Sequence, residues 1–506
     1  MVRIYIVGII ALLFVSCSDF LKEYSQDLAY VNSYTDLDEL LPGGAYLESD
    51  FSSFLYTGHT PYVHMMGDEM RENIEYAYGE EYNSSCRDDY FGYYTWQKRV
   101  DIGFDNLVKI TNESSDWKRL YEHINVANMI IAEIANWSGK NDFEDREISR
   151  IRGEAYFLRG AYYFWLVNLY GRPYTVASAQ TDPGVPLKLT EYIEDKKFTR
   201  NSVLEVYDQV LKDLDEAEKA LEKTPRKSVF RADITAAYLL KSRVYLYMRD
   251  WKNAAYYANK VLEKNDQLLD LNVFDATSGI AFMSPKSVET IFSTGDNWVA
   301  GNTSMRQKGM SASEDLINLY KKNVNDLRLE VFLNTNYPPY FPCNKYAYDG
   351  GEMSDVCTYR TAEAYLNLAE ALAYQGDDEG ACEALNYLRK HRIRNAGEIH
   401  YSEKELVVEI RDERFRELAF EGHRWYDLRR YSVCDRFPLE KAVRNTYTTY
   451  YYDGSYWVPL ATHVYELKSG DPAYVMPIPV DVLTFEELMQ DNARGERNVV
   501  EIINYN

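Results

Sequence analysis

Apolar residues recur at helical spacing through long parts of this chain. In WKRLYEHINVANMIIAEI (Trp117 to Ile134), Leu120, Ile124, Ala127 and Ile131 share one face, the spacing of an amphipathic helix. NSVLEVYDQVLKDLDEAEKAL (Asn201 to Leu221) opens on Asn201 or Ser202 followed by Glu205, the pattern of a capped N-terminus. Glu405 to Tyr431 reads as a long charged amphipathic helix with a break expected at Gly422. Three further segments read as copies of one helix: EAYFLRGAYYFWL (Glu154 to Leu166), AAYLLKSRVYLYM (Ala236 to Met248) and EAYLNLAEALAYQ (Glu363 to Gln375). Each carries a small residue, Gly160, Ser242 or Ala369, at the equivalent position. A small residue there lets a second helix approach closely, as in a tetratricopeptide hairpin. Two copies run on into a partner helix, Asp250, Ala254, Ala258 and Val261 matching Asp377, Ala381, Leu385 and Leu388 at a constant offset of 127 residues.

Between these helices lie Gly-, Pro- and Tyr-rich stretches, roughly 68–116, 170–198, 265–310, 334–356 and 438–479, and no low-complexity linker separates them. The prediction is therefore mostly α: a single large domain on tetratricopeptide-like helix pairs (about 117–264 and 359–431) with irregular, loop-rich insertions.

The first residues follow a different pattern. Arg3 precedes an apolar run from Ile4 to Val15, well short of the ~20 residues a membrane-spanning helix needs. A charge followed by a short greasy run is the order of a secretory signal. Leu13-Phe14-Val15-Ser16-Cys17 resembles a bacterial lipobox, although Phe14 and Val15 are bulkier than its tidiest form. The expectation is a signal peptide over 1–16, a mature chain over 17–506, and acylation of Cys17; an ordinary signal peptide with a nearby cysteine is the alternative. Acyl chains gain ~0.8 kcal/mol per buried CH₂, so several would anchor a water-facing protein.

Composition narrows the function classes. The 506 residues include 46% hydrophobic and 27% charged side chains, ordinary for a protein with a large core. A net charge of −23 repels a nucleic-acid backbone. Six cysteines show no CxxC spacing, so neither a zinc site nor a disulfide framework is indicated. Cys343 and Cys357 flank one loop and could pair in an oxidising compartment, but the expectation is that they stay unpaired. The chain has 46 tyrosines against 20 phenylalanines and 8 tryptophans. Tyrosine joins an apolar face to a hydroxyl, which suits amphipathic ligands such as sugars, although many must simply pack between helices. The chain contains no HExxH, GxSxG, phosphate loop or helix-opening GxGxxG.

Several blocks together resemble the SusD/RagB family of Bacteroidetes surface lipoproteins, nearly end to end. They are Cys17-Ser-Asp-Phe-Leu21; Trp117, Tyr121, Ile124 and Ala127-Asn128; GEAYFLRGAYYFWLVNLYGRP (Gly153 to Pro173); Ser287 to Phe292; Asp326-Leu-Arg328; YRTAEAYLNLAEAL (Tyr359 to Leu372); and ERFRELAFEGHRWYDLRR (Glu413 to Arg430). Met476-Pro-Ile-Pro479 with Glu487-Leu488 departs from the family pattern, as though an insertion had spread it. The resemblance implies a SusD-like, non-catalytic protein, lipid-anchored in the outer membrane and facing outward. It would bind an oligosaccharide or polysaccharide and deliver it to a SusC-like TonB-dependent transporter, with no cofactor and no nucleic-acid partner. A peptide ligand, as in RagB-like members, and a purely structural scaffold of a surface complex remain the alternatives. A cryptic hydrolase using Asp68 or Glu69 is the third, though adjacent residues point apart and a glycosidase needs two carboxyls about 5–9.5 Å apart.

Sugar sites use aromatic faces and polar side chains on loops held by a rigid scaffold. Three loops qualify: Asp88 to Arg99, Thr294 to Ser304, and NTYTTYYYDGSYW (Asn445 to Trp457), which reads as a hairpin turning at Asp453-Gly454. Family members bind glycan from loops resembling the first two. The expected ligand site thus lies between Trp96, Tyr93 and Tyr94 on one side and Trp298, Asn297 and Asp296 on the other, with Asp68, Arg71 and Asn73 as polar neighbours. The Asn445–Trp457 stretch is left between a structural role, a transporter contact and a ligand contact. Asp349, Glu352 and Asp355 could supply oxygens to a calcium ion, but their spacing is no EF-hand, and no metal is expected. The charges of Arg411–Arg430 are expected to form structural ion pairs.

Overall fold

Asn141 caps a 29-residue helix by accepting from Phe143 N and Glu144 N, and Asp142, Glu144 and Asp145 crowd its positive end. The computed structural model that shows this describes residues 31–48, 59–74, 85–109, 113–275, 278–303, 309–347 and 352–505. The leader, Cys17 and Asp349 to Gly351 lie outside the described residues.

The long helices, in chain order, are α1 (Ser115–Ile134), α2 (Asp142–Tyr170), α3 (Val203–Leu221), α4 (Ile234–Met248), α5 (Trp251–Lys264), α6 (Thr361–Gln375), α7 (Asp378–Lys390), α8 (Glu403–Leu418) and α9 (Arg424–Ser432). They pack as tetratricopeptide-like pairs α2/α3, α4/α5 and α6/α7. The small residues explain the pairing. A Cβ on Gly160 would sit 3.3 Å from Asp213 Cβ of α3, and one on Gly153 only 2.5 Å from Leu221. At this closely packed seam Arg159 grips Asp213 through two hydrogen bonds of 2.6 and 2.9 Å. Ser242 Oγ donates to Ala254 O of α5 at 2.9 Å. The repeat extends to backbone conformation: Arg249 and Gly376, 127 residues apart, close their helices at φ 62° and 86°, and Asp250 and Asp377 then cap the partners.

The first pair departs from expectation. Its partner helix is α3, which the sequence shows as a capped helix but not as a repeat, because residues 171–202 intervene. Ser202, rather than Asn201, forms the capping box with Glu205. The Glu405–Tyr431 segment breaks as expected. Phe420 (φ 63°) and Gly422 (φ 73°) turn the chain between α8 and α9, and a Cβ on Gly422 would press to 3.1 Å of Val356 Cα.

Small sheets fasten the insertions. They comprise β1 (Met70–Glu72), β2 (Thr290–Ser293), β3 (Met310–Ala312), β4 (Thr358–Arg360), β5 (Val443–Tyr452), β6 (Trp457–Leu467) and β7 (Glu501–Asn504). β1 pairs with β3 and β2 with β4, while β5, β6 and β7 form one antiparallel sheet whose β5–β6 hairpin turns at Asp453-Gly454. Cys343, Cys357, Cys382 and Cys434 are buried free thiols. Among the described residues no helix is long and apolar enough to cross a membrane.

A buried ionic network joins these parts. Glu417 of α8, with no exposed surface, accepts from Arg360 at 2.7 Å, Arg392 at 2.9 Å and Arg328 at 3.0 Å. Asp326 orients Arg328 through bonds of 2.7 and 2.9 Å, which accounts for the Asp-x-Arg element. Glu289 answers Arg360 and Arg392, and Glu421 answers Arg360 and Lys345. Burial opposes the Glu417 charge, but Arg392, Arg360 and Arg328 hold its carboxyl well below the usual carboxylate range. Arg414 pairs with Asp427, Arg416 with Glu413 and Arg424 with Asp68. Removing one member strands opposite charges in a dry interior. Glu417→Gln is therefore expected to lower the unfolding free energy by about 3–5 kcal/mol, read from urea denaturation; a loss under about 1 kcal/mol would mean that water reaches the network.

Candidate functional site

The residues singled out in sequence converge only in part, and chiefly as anchors. Tyr90, at the start of the short helix Phe91–Tyr94, meets Trp298 edge-on with ring centroids 5.5 Å apart, so the first two loops touch. Their tryptophans do not face outward. Trp96 is 1% exposed, adopts φ 55°, and donates its Nε1–H to Met66 O at 2.8 Å. The expected ligand platform at Trp96 is therefore a core anchor. Tyr93 is buried and stacks on Tyr62 at 4.1 Å, and Tyr94 is buried as well. Trp298 is 5% exposed. The rings that make this region look sugar-binding are consumed in holding its loops together.

The polar candidates are likewise engaged. Asp68 accepts from Arg424 at 2.6 and 2.8 Å and from Lys441 at 2.5 Å. Burial opposes its charge, yet these cations hold the carboxyl well below its ordinary range. Arg71 donates to Glu314 and to Pro339 O, both at 2.6 Å. Asn73 is buried, its amide donating to Met310 O at 3.2 Å. Asn297 caps the short helix Trp298–Thr303 by accepting from Ala300 N at 2.9 Å, and donates to Met353 O at 2.9 Å. None of the nine expected ligand contacts (Asp68, Arg71, Asn73, Tyr93, Tyr94, Trp96, Asp296, Asn297 and Trp298) lines the cavity described below.

Beneath Trp298 lies a buried relay. Asp355 Oδ2 accepts from Trp298 N at 2.8 Å and Val299 N at 2.6 Å. His64 Nε2 stands 3.8 Å from the same oxygen, while its Nδ1 lies 3.1 Å from Glu69, which also accepts from Phe420 N. Burial opposes protonation of His64, but Asp355 and Glu69 push it up to about 9. Asp296 has the opposite balance. Its strongest bond within this cluster is from His59 N at 3.3 Å; burial first, and Asp355 second, push its carboxyl up to about 7.

Beside Thr294 and Gly295 opens a cavity of about 560 Å³, lined by Tyr46, Leu47, Glu48, Lys227, Phe230, Arg231 and Glu352 among others. Gly295 turns at φ 94°, and a Cβ there would press to 3.3 Å of Leu47, so the loop needs glycine to border the space. Phe230 is 37% exposed. The two cations on the wall are already matched. Lys227 pairs with Asp38 at 2.5 Å; Arg231 pairs with Asp38 and, at 2.5 Å, with Glu154, which also accepts from Tyr46 OH at 2.6 Å. Burial opposes the Asp38 charge, but Lys227, Arg231 and Arg150 hold the carboxyl at about 2. Such a wall offers one open ring, hydroxyl and carboxylate acceptors, and no uncompensated cation. Sequence reasoning passed over Lys227, Phe230 and Arg231; the available signal was the short basic and aromatic run RKSVFR (226–231) between two helices. Among the described residues no group of His, Cys, Asp and Glu is arranged to hold a metal ion.

Comparison with known proteins places this geometry in context. Residues 60–246 match a family model described as starch-binding and associating with the outer membrane, and residues 251–494 match the model of the SusD family. SusD-like protein P2 of Formosa agariphila is 27% identical over 376 residues, 63% of this chain and 71% of that protein. A SusD superfamily structure from Bacteroides thetaiotaomicron superposes with a TM-score of 0.69 at 22% identity, covering 91% of this chain and 100% of the other. A laminarin-binding SusD-like protein superposes with a TM-score of 0.57 at 17% identity, covering 91% and 97%.

Two pH responses follow from the buried pair of opposite cases. Asp296 has a folded-state pKa above its usual 3.8, so its ionisation penalises the fold increasingly as pH rises, in full above about 7. Asp296→Asn is expected to raise the unfolding midpoint at pH 8 and leave it nearly unchanged at pH 4; equal effects at both would exclude this origin. His64 is raised from 6.5 to about 9, so its contribution is complete below 6.5 and is lost as pH rises through 9. Thermal unfolding should show that alkaline loss in the parent chain and a flatter profile between pH 7 and 10 in His64→Gln.

Proposed function

This chain belongs to the SusD/RagB family, and from that premise we propose that it binds a carbohydrate without chemical turnover and passes it to a TonB-dependent outer-membrane transporter. The observation that carries the reading is the open cavity of about 560 Å³ beside Thr294 and Gly295. Its size lies in the range of ligand sites. Phe230 presents a ring for the C–H face of a sugar, and Glu48, Ser228 and Glu352 present hydroxyl partners. The Asp296–Trp298 segment acts here as the support of the cavity rim. Acylation at Cys17 would fasten the domain, residues 17–506, to the outer leaflet, with the cavity outside the cell.

The carboxylates that a hydrolase would need at the sequence-predicted site support the same reading. Asp68 is held by Arg424 and Lys441, and Glu69 by His64 and Phe420 N. These contacts fix structure and leave neither group open for proton transfer to a substrate.

Calorimetry of the chain from residue 18 onward, against soluble starch, laminarin and a wider set of neutral polysaccharides, tests the proposal. One glycan class should bind, and Phe230→Ala should weaken it roughly tenfold by removing ~1–2 kcal/mol of stacking. Binding of peptides with no response to any glycan would reject the carbohydrate reading.

A further inference from the structure

Lys227 and Arg231 line the cavity beside Gly295, but none of the carboxylates that match them does. Two helices bring those carboxylates into place. On α2, Glu147, Arg150 and Glu154 follow one another at spacings of three and four residues, so they share a face. Arg150 meets Glu147 at 2.7 Å and Glu154 at 2.5 Å. The short helix Tyr34–Leu40 opens on a capping box of Ser33 with Asp36. Buried Leu37 and the following Leu41 seat it against α1 and α2. Asp38, between those leucines, meets Arg150 at 3.0 Å, Lys227 at 2.5 Å and also Arg231. Three cations (Arg150, Lys227, Arg231) thus face three carboxylates (Asp38, Glu147, Glu154), and the group sums to zero. Asp38 is the carboxylate that touches all three cations.

We propose that Asp38, from outside the cavity lining, sets which glycans the cavity takes, admitting uncharged chains and refusing those that carry carboxylates; the inference rests on the glycan-binding reading above. Asp38 is a positioning residue, acting on a ligand through Lys227 and Arg231. With it in place, the lining keeps the carboxylates of Glu48 and Glu352, with which no cation pairs among the described residues, inside the field of a chain at −23. A sugar carboxylate entering there meets repulsion. Without it, the Lys227 side chain, 44% exposed, presents an ammonium to the same space, and Arg231 keeps only Glu154. An ammonium beside a guanidinium is a ready partner for a carboxylate. One residue behind the wall therefore decides whether the acidic field of the protein reaches the ligand or is overridden locally. Asp38 also ties the 226–231 run to the frame, and the two roles separate experimentally. Loss of a tie weakens every ligand alike, whereas loss of a charge alters the ratio between neutral and acidic ones.

Calorimetry with maltohexaose and laminarihexaose reads that ratio, each compared with the same sugar whose C6 hydroxyls have been oxidised to carboxylates. For a parent chain that responds to neither, the neutral polysaccharide it binds and its C6-oxidised form take their place. In about 10 mM salt, where charges act over ~30 Å, the parent should bind the neutral sugar roughly tenfold tighter than the oxidised one, and 1 M NaCl should narrow the gap. Asp38→Asn should shrink the ratio about fivefold, while Asp38→Glu, which keeps the charge, should preserve it. Glu147→Gln, at the partly exposed edge of the same group, should shrink it about twofold and serves as the test if Asp38→Asn does not fold. An unchanged ratio in Asp38→Asn, even with both affinities lowered, would overturn the role of Asp38 and leave carbohydrate binding standing; if that variant is unfolded, an unchanged ratio in Glu147→Gln does the same. A parent that binds the oxidised sugar as tightly as the neutral one would also overturn it. A parent that binds no neutral glycan would overturn both this inference and the reading beneath it.

Discussion

A carboxylate with no exposed surface cannot stay charged unless cations come to it, and Glu417 draws three guanidinium groups from three separate parts of the chain. Arg328 comes from the short helix after Asp326, Arg360 from β4, and Arg392 from the turn after α7. Each of these segments is short or irregular, and each also buries apolar side chains beside its arginine: Val331 and Phe332, Tyr359, and Ile393. The ionic network does what continuous helix stacking does in an uninterrupted repeat array. Its reach extends to the candidate site. Arg360 ends β4, β4 pairs with β2, and β2 runs directly into the loop from Thr294 to Thr303. The loop that borders the cavity is thereby mounted on the helical frame through charges.

The helical frame was legible in sequence because its cause is local. Small residues at fixed spacing, capping pairs such as Ser202 with Glu205, and the offset from Asp250 to Asp377 each act over a few residues. The partnership of α2 with α3 was hidden because an insertion of about thirty residues breaks the spacing, although Gly153 and Gly160 mark the face that α3 covers. The hairpin was readable from Asp453-Gly454 and the alternation around it.

The site was less legible, and the reason is physical. Trp96, Trp298, Tyr93 and Tyr94 have the same residue types as a sugar platform, but burial decides their role, and burial depends on contacts across hundreds of residues. Trp96 Nε1 finds Met66 O, and Asn445 reaches the carbonyls of Met65 and Tyr94 from the far end of the chain. Aromatic density in sequence therefore reported where loops need anchoring. The open ring, Phe230, stands in a short basic run with no aromatic neighbour in sequence, so composition could not separate it from surface.

Electrostatics sets the character of the cavity wall. A chain with net charge −23 that left Lys227 and Arg231 unpaired would create a cationic pocket suited to acidic sugars. Asp38 and Glu154 cancel those cations from within the fold, and Arg150 is drawn into the same group. The cavity is left with carboxylate acceptors at Glu48 and Glu352. Its wall thus joins the exposed Phe230 ring to hydrogen-bond acceptors within an acidic field. Such a field repels a polyanion and leaves an uncharged molecule unaffected, so the discrimination by charge comes from the protein as a whole.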